Sequence, residues 1–277
     1  MTTRILTAIV FVAVMLAGLY GGLYPFVGLF ILITALCLWE FIGMTLVAQN
    51  PSNIRHYKIA GTIMGILPVL ITGIYKLGIP ADPFLFLKKA TILSIPLVFL
   101  IFVRELFAKT KEPFTNLAHL FLGIFYIGLP MSMVVLVGIE GDTYLPNTIF
   151  GILLLTWAND SGAYIIGSKI GKTPLFPRIS PNKTWEGSIG GAVTTIAAGF
   201  LLSLVFSEQS MVNWLVIAGL TAVFGSIGDL IESMLKRSKG VKDSGSFLPG
   251  HGGFLDRFDA FIFVAPFVTA FLLYIRG

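Results

Sequence analysis

The chain has 277 residues, of which 56% are hydrophobic and only 12% are charged, whereas soluble domains carry about 25% charged residues. With a mean hydropathy of +0.89, this composition excludes an ordinary soluble domain and predicts one all-α helical bundle in a membrane. The net charge of +5 could suggest nucleic acid, but the basic residues are placed as membrane topology and anionic substrates require, so no nucleic-acid partner is predicted.

Nine apolar segments are long enough to cross a bilayer, which takes about 20 residues. The first follows Arg4 and lacks a convincing small-residue cleavage site, so it is interpreted as a span and not as a signal peptide. The predicted fold class is therefore a polytopic transmembrane helical bundle of about nine spans. These spans cover approximately residues 5–22, 25–47, 58–79, 84–103, 115–138, 145–168, 187–206, 211–232 and 254–275.

The basic residues are distributed unevenly between the loops. With nine spans, one side of the membrane receives all but four of the 19 Lys and Arg residues, the exceptions being Lys76, Lys88, Lys89 and Arg276. Cytoplasmic loops carry an excess of Lys and Arg. The N-terminus and loops 169–187 and 233–257 are therefore predicted to be cytoplasmic, and the C-terminus to lie outside.

The N-terminal spans contain one acidic residue well inside a predicted helix, Glu40. An intramembrane carboxylate is a functional hypothesis by default, but a structural partner, or a position near the helix end, is the favoured interpretation. Residues 1–110 are predicted to form a transmembrane scaffold, and residues 111–277 a catalytic region.

Polar residues reappear at the end of the sixth span and in the following loop. Asn159 and Asp160 lie beside small residues that allow close helix approach, so a hydrogen-bond cluster between helices explains them as well as a ligand site does. In the loop, Ser180 is predicted to cap the next helix, with Pro181 at its first position. Capping leaves three further polar residues unexplained: Asn182, Lys183 and Glu186.

The most polar interval covers residues 233–259. On a helix, one face would present Asp229, Glu232, Ser233 and Lys236. Asp256 and Asp259, three apart, would share a face at the start of the last span. Carboxylates are hard ligands for Mg²⁺, which takes one or two of them together with substrate phosphate, and N–H groups at a glycine-rich turn donate to phosphate. The pattern predicts a site for a cation and a polyphosphate, although a charged loop between membrane helices is usually only a solvated surface.

The order of motifs in this interval is specific. Ser-x-Leu-Lys-Arg from Ser233, Lys242-Asp243, Pro-Gly-His-Gly-Gly and Asp-Arg-Phe-Asp ending at Asp259 follow one another. This series resembles the signature of the phosphatidate cytidylyltransferases, or CDP-diacylglycerol synthases. Asn-Asp-Ser-Gly from Asn159 and Ser-Pro-Asn-Lys-Thr-Trp-Glu-Gly from Ser180 also resemble segments of that family. Before Asn159, the resemblance is one of length and hydropathy.

The resemblance implies an enzyme that transfers a cytidylyl group from CTP to phosphatidate and releases pyrophosphate. It implies Mg²⁺, with a second cation that is divalent or K⁺, and metal ligands Asp229, Asp256 and Asp259. The implied catalytic residues are Lys183, Lys236, Arg237, Lys242, Asp243, His251 and Arg257. The implied substrate-binding residues are Asn159, Asp160, Asn182, Glu186, Ser233, Gly252 and Gly253. Asp243 binds metal or pairs with Lys242, and His251 contacts phosphate or stabilises the turn.

The implied location is a bacterial-type inner (plasma) membrane, with the active site facing the cytoplasm. A homodimer is compatible with the resemblance, although the sequence gives no oligomeric state. A CTP-dependent polyprenol or dolichol kinase would use similar residues on a different lipid, but the match to the signature argues against it. A secondary transporter would also explain the bundle and its acids, but transport sites lie near the bilayer midplane, whereas these polar residues crowd one side.

Overall fold

A computed structural model describes residues 2–46, 51–108, 110–245, 247 and 252–277. Within these residues the chain forms ten α-helices, and a π-helical turn, Ile124–Gly128, joins the fifth helix to the sixth. The helices are α1 (Thr2–Tyr20), α2 (Leu23–Thr45), α3 (Pro51–Lys76), α4 (Pro83–Phe107), α5 (Pro113–Gly123), α6 (Leu129–Val137), α7 (Pro146–Ile170), α8 (Trp185–Val205), α9 (Met211–Ser238) and α10 (Asp259–Arg276). The predicted all-α bundle is confirmed.

Eight helical segments of the described residues are long and apolar enough to cross a membrane. One of them, Pro113–Val137, combines α5, the π-helical turn and α6. In α1, the apolar helix Leu6–Tyr20 is shorter than the other eight. The chain is therefore an integral membrane protein, with spans close to those predicted.

The part of the chain that the structure describes also contains four short strands in two hairpins: β1 (Ile139–Glu140) with β2 (Thr143–Tyr144), and β3 (Pro174–Phe176) with β4 (Ser180–Thr184). The pairing of β3 with β4 is antiparallel, with Pro174 opposite Thr184. Ser180 therefore belongs to a strand, and the prediction that it caps a helix starting at Pro181 is wrong. The N-cap of α8 is Thr184, whose side chain accepts the N–H of Gly187 at 3.1 Å.

The helices divide into two compact units. The first contains Met1–Ile139 with Asp243–Asp256, and the second contains Glu140–Lys242 with Arg257–Gly277. The functional division into scaffold and catalytic region at residue 110 stays a prediction.

Among the described residues of the first unit, two glutamates are buried in helices. Glu40 in α2 is 8% exposed, and it accepts hydrogen bonds from the Ser244 hydroxyl and the Leu255 N–H, each at 2.9 Å. This agrees with its interpretation as a structural partner. Glu105 in α4 is 4% exposed and accepts bonds from Tyr57, Thr110 and Asn116.

In the second unit, α7 and α8 touch backbone to backbone. A Cβ added at Gly187 would lie 2.9 Å from the Ala163 carbonyl oxygen and 3.1 Å from the Gly167 Cα. One added at Gly191 would lie 2.8 Å from the Asn159 carbonyl oxygen. Glycine is required at such distances, so the tight small-residue packing predicted for these helices is confirmed.

Candidate active site

A cavity of about 590 Å³ opens in the second unit, bounded by α7, the β3–β4 hairpin, the start of α8 and the middle of α9. Its volume lies within the range of about 300–1,000 Å³ that is usual for small-molecule sites. Among the described residues, five predicted site residues line it: Asn159, Asp160, Asn182, Lys183 and Asp229. Residues from three segments far apart in the chain thus meet at one cavity.

Asn159 fixes the position of the cavity wall. It is 1% exposed, its Nδ2 donates to Ser226 Oγ on α9 at 3.2 Å, and its Oδ1 accepts from Thr195 Oγ1 on α8 at 3.4 Å. The hydrogen-bond cluster between helices that the sequence left open is therefore present. The next residue, Asp160, is exposed at the cavity, because successive helical residues point about 100° apart.

Lys183 and Asp229 form a salt bridge at the cavity. Lys183 is on β4 and Asp229 is on α9, and their side chains are 27% and 32% exposed. Because both side chains remain partly accessible, the pair can be opened by a ligand that offers Lys183 a phosphate oxygen.

A group of acidic side chains extends from this pair. Asp259, the first residue of α10, interacts electrostatically with Asp229, Glu232 and Asp160. Glu232 is fully buried and forms a salt bridge with Lys236. We call the four carboxylates Asp160, Asp229, Glu232 and Asp259 the acidic cluster.

Basic residues offset part of the negative charge of the acidic cluster. Besides the two salt bridges, Asp160 interacts electrostatically with both Lys183 and Arg257.

Glu232 had no role in the sequence prediction. The spacing that could have indicated it is its position between Asp229 and Lys236 on one face of a helix.

The acidic cluster suits a hard cation in its chemistry. Among the described residues, no three His, Cys, Asp or Glu side chains already stand in the geometry of a metal site. Mg²⁺, however, usually keeps several waters and takes one or two carboxylates together with substrate phosphates. Asp229 at the cavity and Asp259 beside it in the cluster provide such carboxylates.

Four other predicted residues, Asp243, Gly252, Gly253 and Asp256, lie together in the first unit. Asp256 accepts the N–H of Ser244 at 3.1 Å and the N–H of Gly253 at 2.8 Å. Gly252 has φ +83°, which favours glycine. Asp256 therefore shapes this segment, and its role as a metal ligand stays a prediction.

Asp256 and Asp259 do not share a face of one α-helix, contrary to the prediction. Asp256 lies in a 3₁₀ turn, Leu255–Arg257, and α10 begins two residues after that turn. The sequence pattern missed this break because the apolar run starts at Phe254, before the regular helix. His251 lies outside the described residues.

Three predicted residues have local contacts in place of a position on the described cavity wall. Glu186 accepts the N–H groups of Lys172 and Thr173 and the Thr173 hydroxyl, and Arg237 donates to the Val241 carbonyl at 3.0 Å. The third, Ser233, donates to Asp229 Oδ1 at 3.4 Å. A fourth predicted residue, Lys242, is exposed. The functional roles assigned to these residues stay predictions.

Comparison with known proteins extends the resemblance over the whole chain. The model of the cytidylyltransferase family matches residues 2–275. The phosphatidate cytidylyltransferase of Staphylococcus saprophyticus is 34% identical over 278 residues, which covers 99% of this chain and 100% of the relative. The Bacillus subtilis protein of the same name is 34% identical over 281 residues, covering 97% and 96%, and that of Staphylococcus epidermidis is 33% identical over 277 residues, covering 99% of each. The chain is therefore an enzyme that belongs to the cytidylyltransferase family.

Proposed function

We propose that the chain is a phosphatidate cytidylyltransferase, which makes CDP-diacylglycerol and pyrophosphate from CTP and phosphatidate. The observation that carries this proposal is one cavity in a membrane protein where Lys183 and Asp229 pair beside an acidic cluster. The names of the relatives support the choice of substrates. A nucleotide triphosphate with its cation needs such a mixture of basic and acidic groups.

In the proposed reaction, an oxygen of the phosphatidate phosphate attacks the α-phosphorus of CTP. The new O–P bond forms as the bond between that phosphorus and the oxygen bridging to the β-phosphate breaks, and pyrophosphate leaves. Positioning and charge neutralisation account for most of the catalysis in such transfers. Lys183 binds phosphate oxygens, Arg257 balances charge beside Asp160, and Glu232 holds Lys236 in place.

Asp229 and Asp259 would hold Mg²⁺, which neutralises phosphate charge when bound. The second cation, divalent or K⁺, belongs to the same proposal, and Asp256 is the third proposed ligand. Asn159 and Asn182 shape the pocket that receives the nucleotide.

We expect pyrophosphate release from the purified protein only when CTP, phosphatidate and Mg²⁺ are all present. The assay compares CTP with ATP, GTP and UTP, each with and without phosphatidate, and identifies the lipid product by mass spectrometry. A lipid kinase would instead release CDP with no pyrophosphate, and a transporter would consume no nucleotide. Either result contradicts the proposal.

The site is proposed to face the cytoplasm, because most basic residues fall on that predicted side. In a Cys37→Ala background, Ser238→Cys at the end of α9 should be shielded from a membrane-impermeant thiol reagent in intact cells, and Gly277→Cys should be labelled. Cys37 is buried, so its removal serves only to clear the background. Permeabilised cells supply the control, since both cysteines should then react. Reversed labelling would contradict the orientation.

A further inference from the structure

In the first unit, one buried carboxylate ties together two parts of the chain that lie far from it in sequence. Glu40 Oε2 accepts both the Ser244 hydroxyl and the Leu255 N–H. Ser244 and Leu255 stand near the two ends of Asp243–Asp256, which we call the signature segment because it carries Asp243, Gly252, Gly253 and Asp256. A single oxygen of α2 thus holds the segment at both ends.

A second carboxylate repeats the connection from within the signature segment. Asp256 accepts the N–H of Ser244, at one end, and that of Gly253, near the other. Ser244 therefore donates to both carboxylates, through its hydroxyl to Glu40 and through its N–H to Asp256. Displacing Glu40 would disturb the position of Asp256 through this shared residue.

Two described glycines of the signature segment lie close to Glu40. A Cβ at Gly245 would lie 2.5 Å from Glu40 Oε1, and one at Gly253 would lie 2.6 Å from Glu40 Oε2. Leu255 is fully buried, so the bond to its N–H is shielded from water. Burying a carboxylate is costly unless it is hydrogen-bonded, and bonds to an ionised acceptor are roughly twice as strong as neutral ones. The contact made by Glu40 Oε2 is therefore specific and shielded from water.

We propose that Glu40 is a positioning residue for the reaction, acting through the signature segment. The inference rests on the proposed function, since the residues that it positions are predicted to bind phosphate and metal. Glu40 touches no reacting atom in this proposal. It sets where the Gly252–Gly253 turn and the Asp256 carboxylate stand.

The test compares Glu40→Ala and Glu40→Gln in the full-length protein. Alanine removes the acceptor of both bonds, whereas the glutamine amide oxygen can still accept them. Glu105→Ala is the matched control, because it removes another buried helix glutamate of the same unit whose contacts are with Tyr57, Thr110 and Asn116. Two quantities are measured: kcat and KM for CTP and phosphatidate, and hydrogen exchange at the amides of Ser244, Gly253 and Leu255.

We expect Glu40→Ala to lower kcat by about 100-fold, the cost typical of a misplacement of about 1 Å, and to accelerate exchange at the three amides. Glu40→Gln should restore most of kcat and of the exchange protection. Glu105→Ala should lower the unfolding temperature but leave kcat and exchange in the signature segment unchanged. The proposal would be overturned if Glu40→Ala and Glu105→Ala lost kcat and exchange protection equally. It would also be overturned if Glu40→Ala kept wild-type kcat and exchange.

Ser244→Ala serves if Glu40→Ala does not fold. It removes the hydroxyl bond to Glu40 and leaves the Leu255 bond, so kcat should fall by a smaller factor and exchange should rise at Ser244 while Leu255 stays protected. Unchanged kcat and exchange in this variant would also refute the role of Glu40. If the wild-type protein forms no CDP-diacylglycerol, the proposed function fails, and the exchange measurements still decide whether Glu40 holds the segment.

Discussion

Asp259→Asn should nearly abolish CDP-diacylglycerol formation while leaving the metal-free protein at least as stable as the wild type. Asparagine has almost the same shape but lacks the charge that a Mg²⁺ ligand supplies. Removal of one strong transition-state contact typically costs about 10²–10³ in rate. Because Asp259 interacts with three other carboxylates, neutralising it also relieves repulsion, so the unfolding temperature in chelator should not fall. The rise of that temperature on adding Mg²⁺ should disappear.

A purely structural role for Asp259 makes a different prediction. An acid in the first turn of a helix stabilises it by about 0.3–1 kcal/mol, so its loss would lower stability slightly and spare turnover. Asp82→Asn is the matched control, because Asp82 caps the N-terminus of α4 by accepting the Leu85 N–H at 2.9 Å, and asparagine caps equally well. Turnover near the wild-type level in Asp259→Asn would exclude Asp259 from the metal site.

Lys183→Ala should mainly impair the use of CTP. A hydrogen bond to a charged group contributes about 1.5–3 kcal/mol, so kcat/KM for CTP should fall by roughly 10- to 100-fold. The unfolding temperature should change little, because the Lys183–Asp229 pair is partly exposed and such pairs contribute about 0–1 kcal/mol. Initial rates over a range of CTP concentrations, with phosphatidate saturating, give the ratio.

Lys172→Ala controls for the loss of one positive charge from the same loop. Its side chain is exposed and lies outside the described lining of the cavity, so CTP kinetics should be unaffected. If Lys183→Ala retains wild-type rates at all CTP concentrations, the loop that carries β4 is only a connector.

The membrane helices were predictable because each needs a long apolar run, and the positions of these runs are visible in the sequence. Their ends were less predictable. α9 continues to Ser238, so Lys236 and Arg237 belong to its last turn, beyond the apolar part that marked the predicted span. The β3–β4 hairpin was missed because its few residues have no hydrophobic period, and pairing between strands decides their conformation.

The candidate site could be predicted as a set of residues but not as a geometry. Spacing placed Asp229 and Lys236 on one face of α9, and the structure agrees. It could not show that Lys183 on β4 reaches Asp229, or that Glu232 joins Asp259, since both depend on packing between elements. The link from Glu40 to Leu255 joins residues 215 positions apart, and no local pattern contains that information.

The hydrogen bonds of Asn159 have a consequence for how the protein enters the membrane during synthesis. Of the eight candidate spans found in the described residues, α7 has the lowest hydropathy, 1.4, and it carries Asn159 and Asp160. The groups that satisfy the Asn159 amide, Thr195 and Ser226, belong to α8 and α9, which leave the ribosome later. An unsatisfied polar group in hydrocarbon costs several kcal/mol. We therefore expect α7 to become fully stable in the bilayer once α8 and α9 have joined it and supplied these hydrogen bonds.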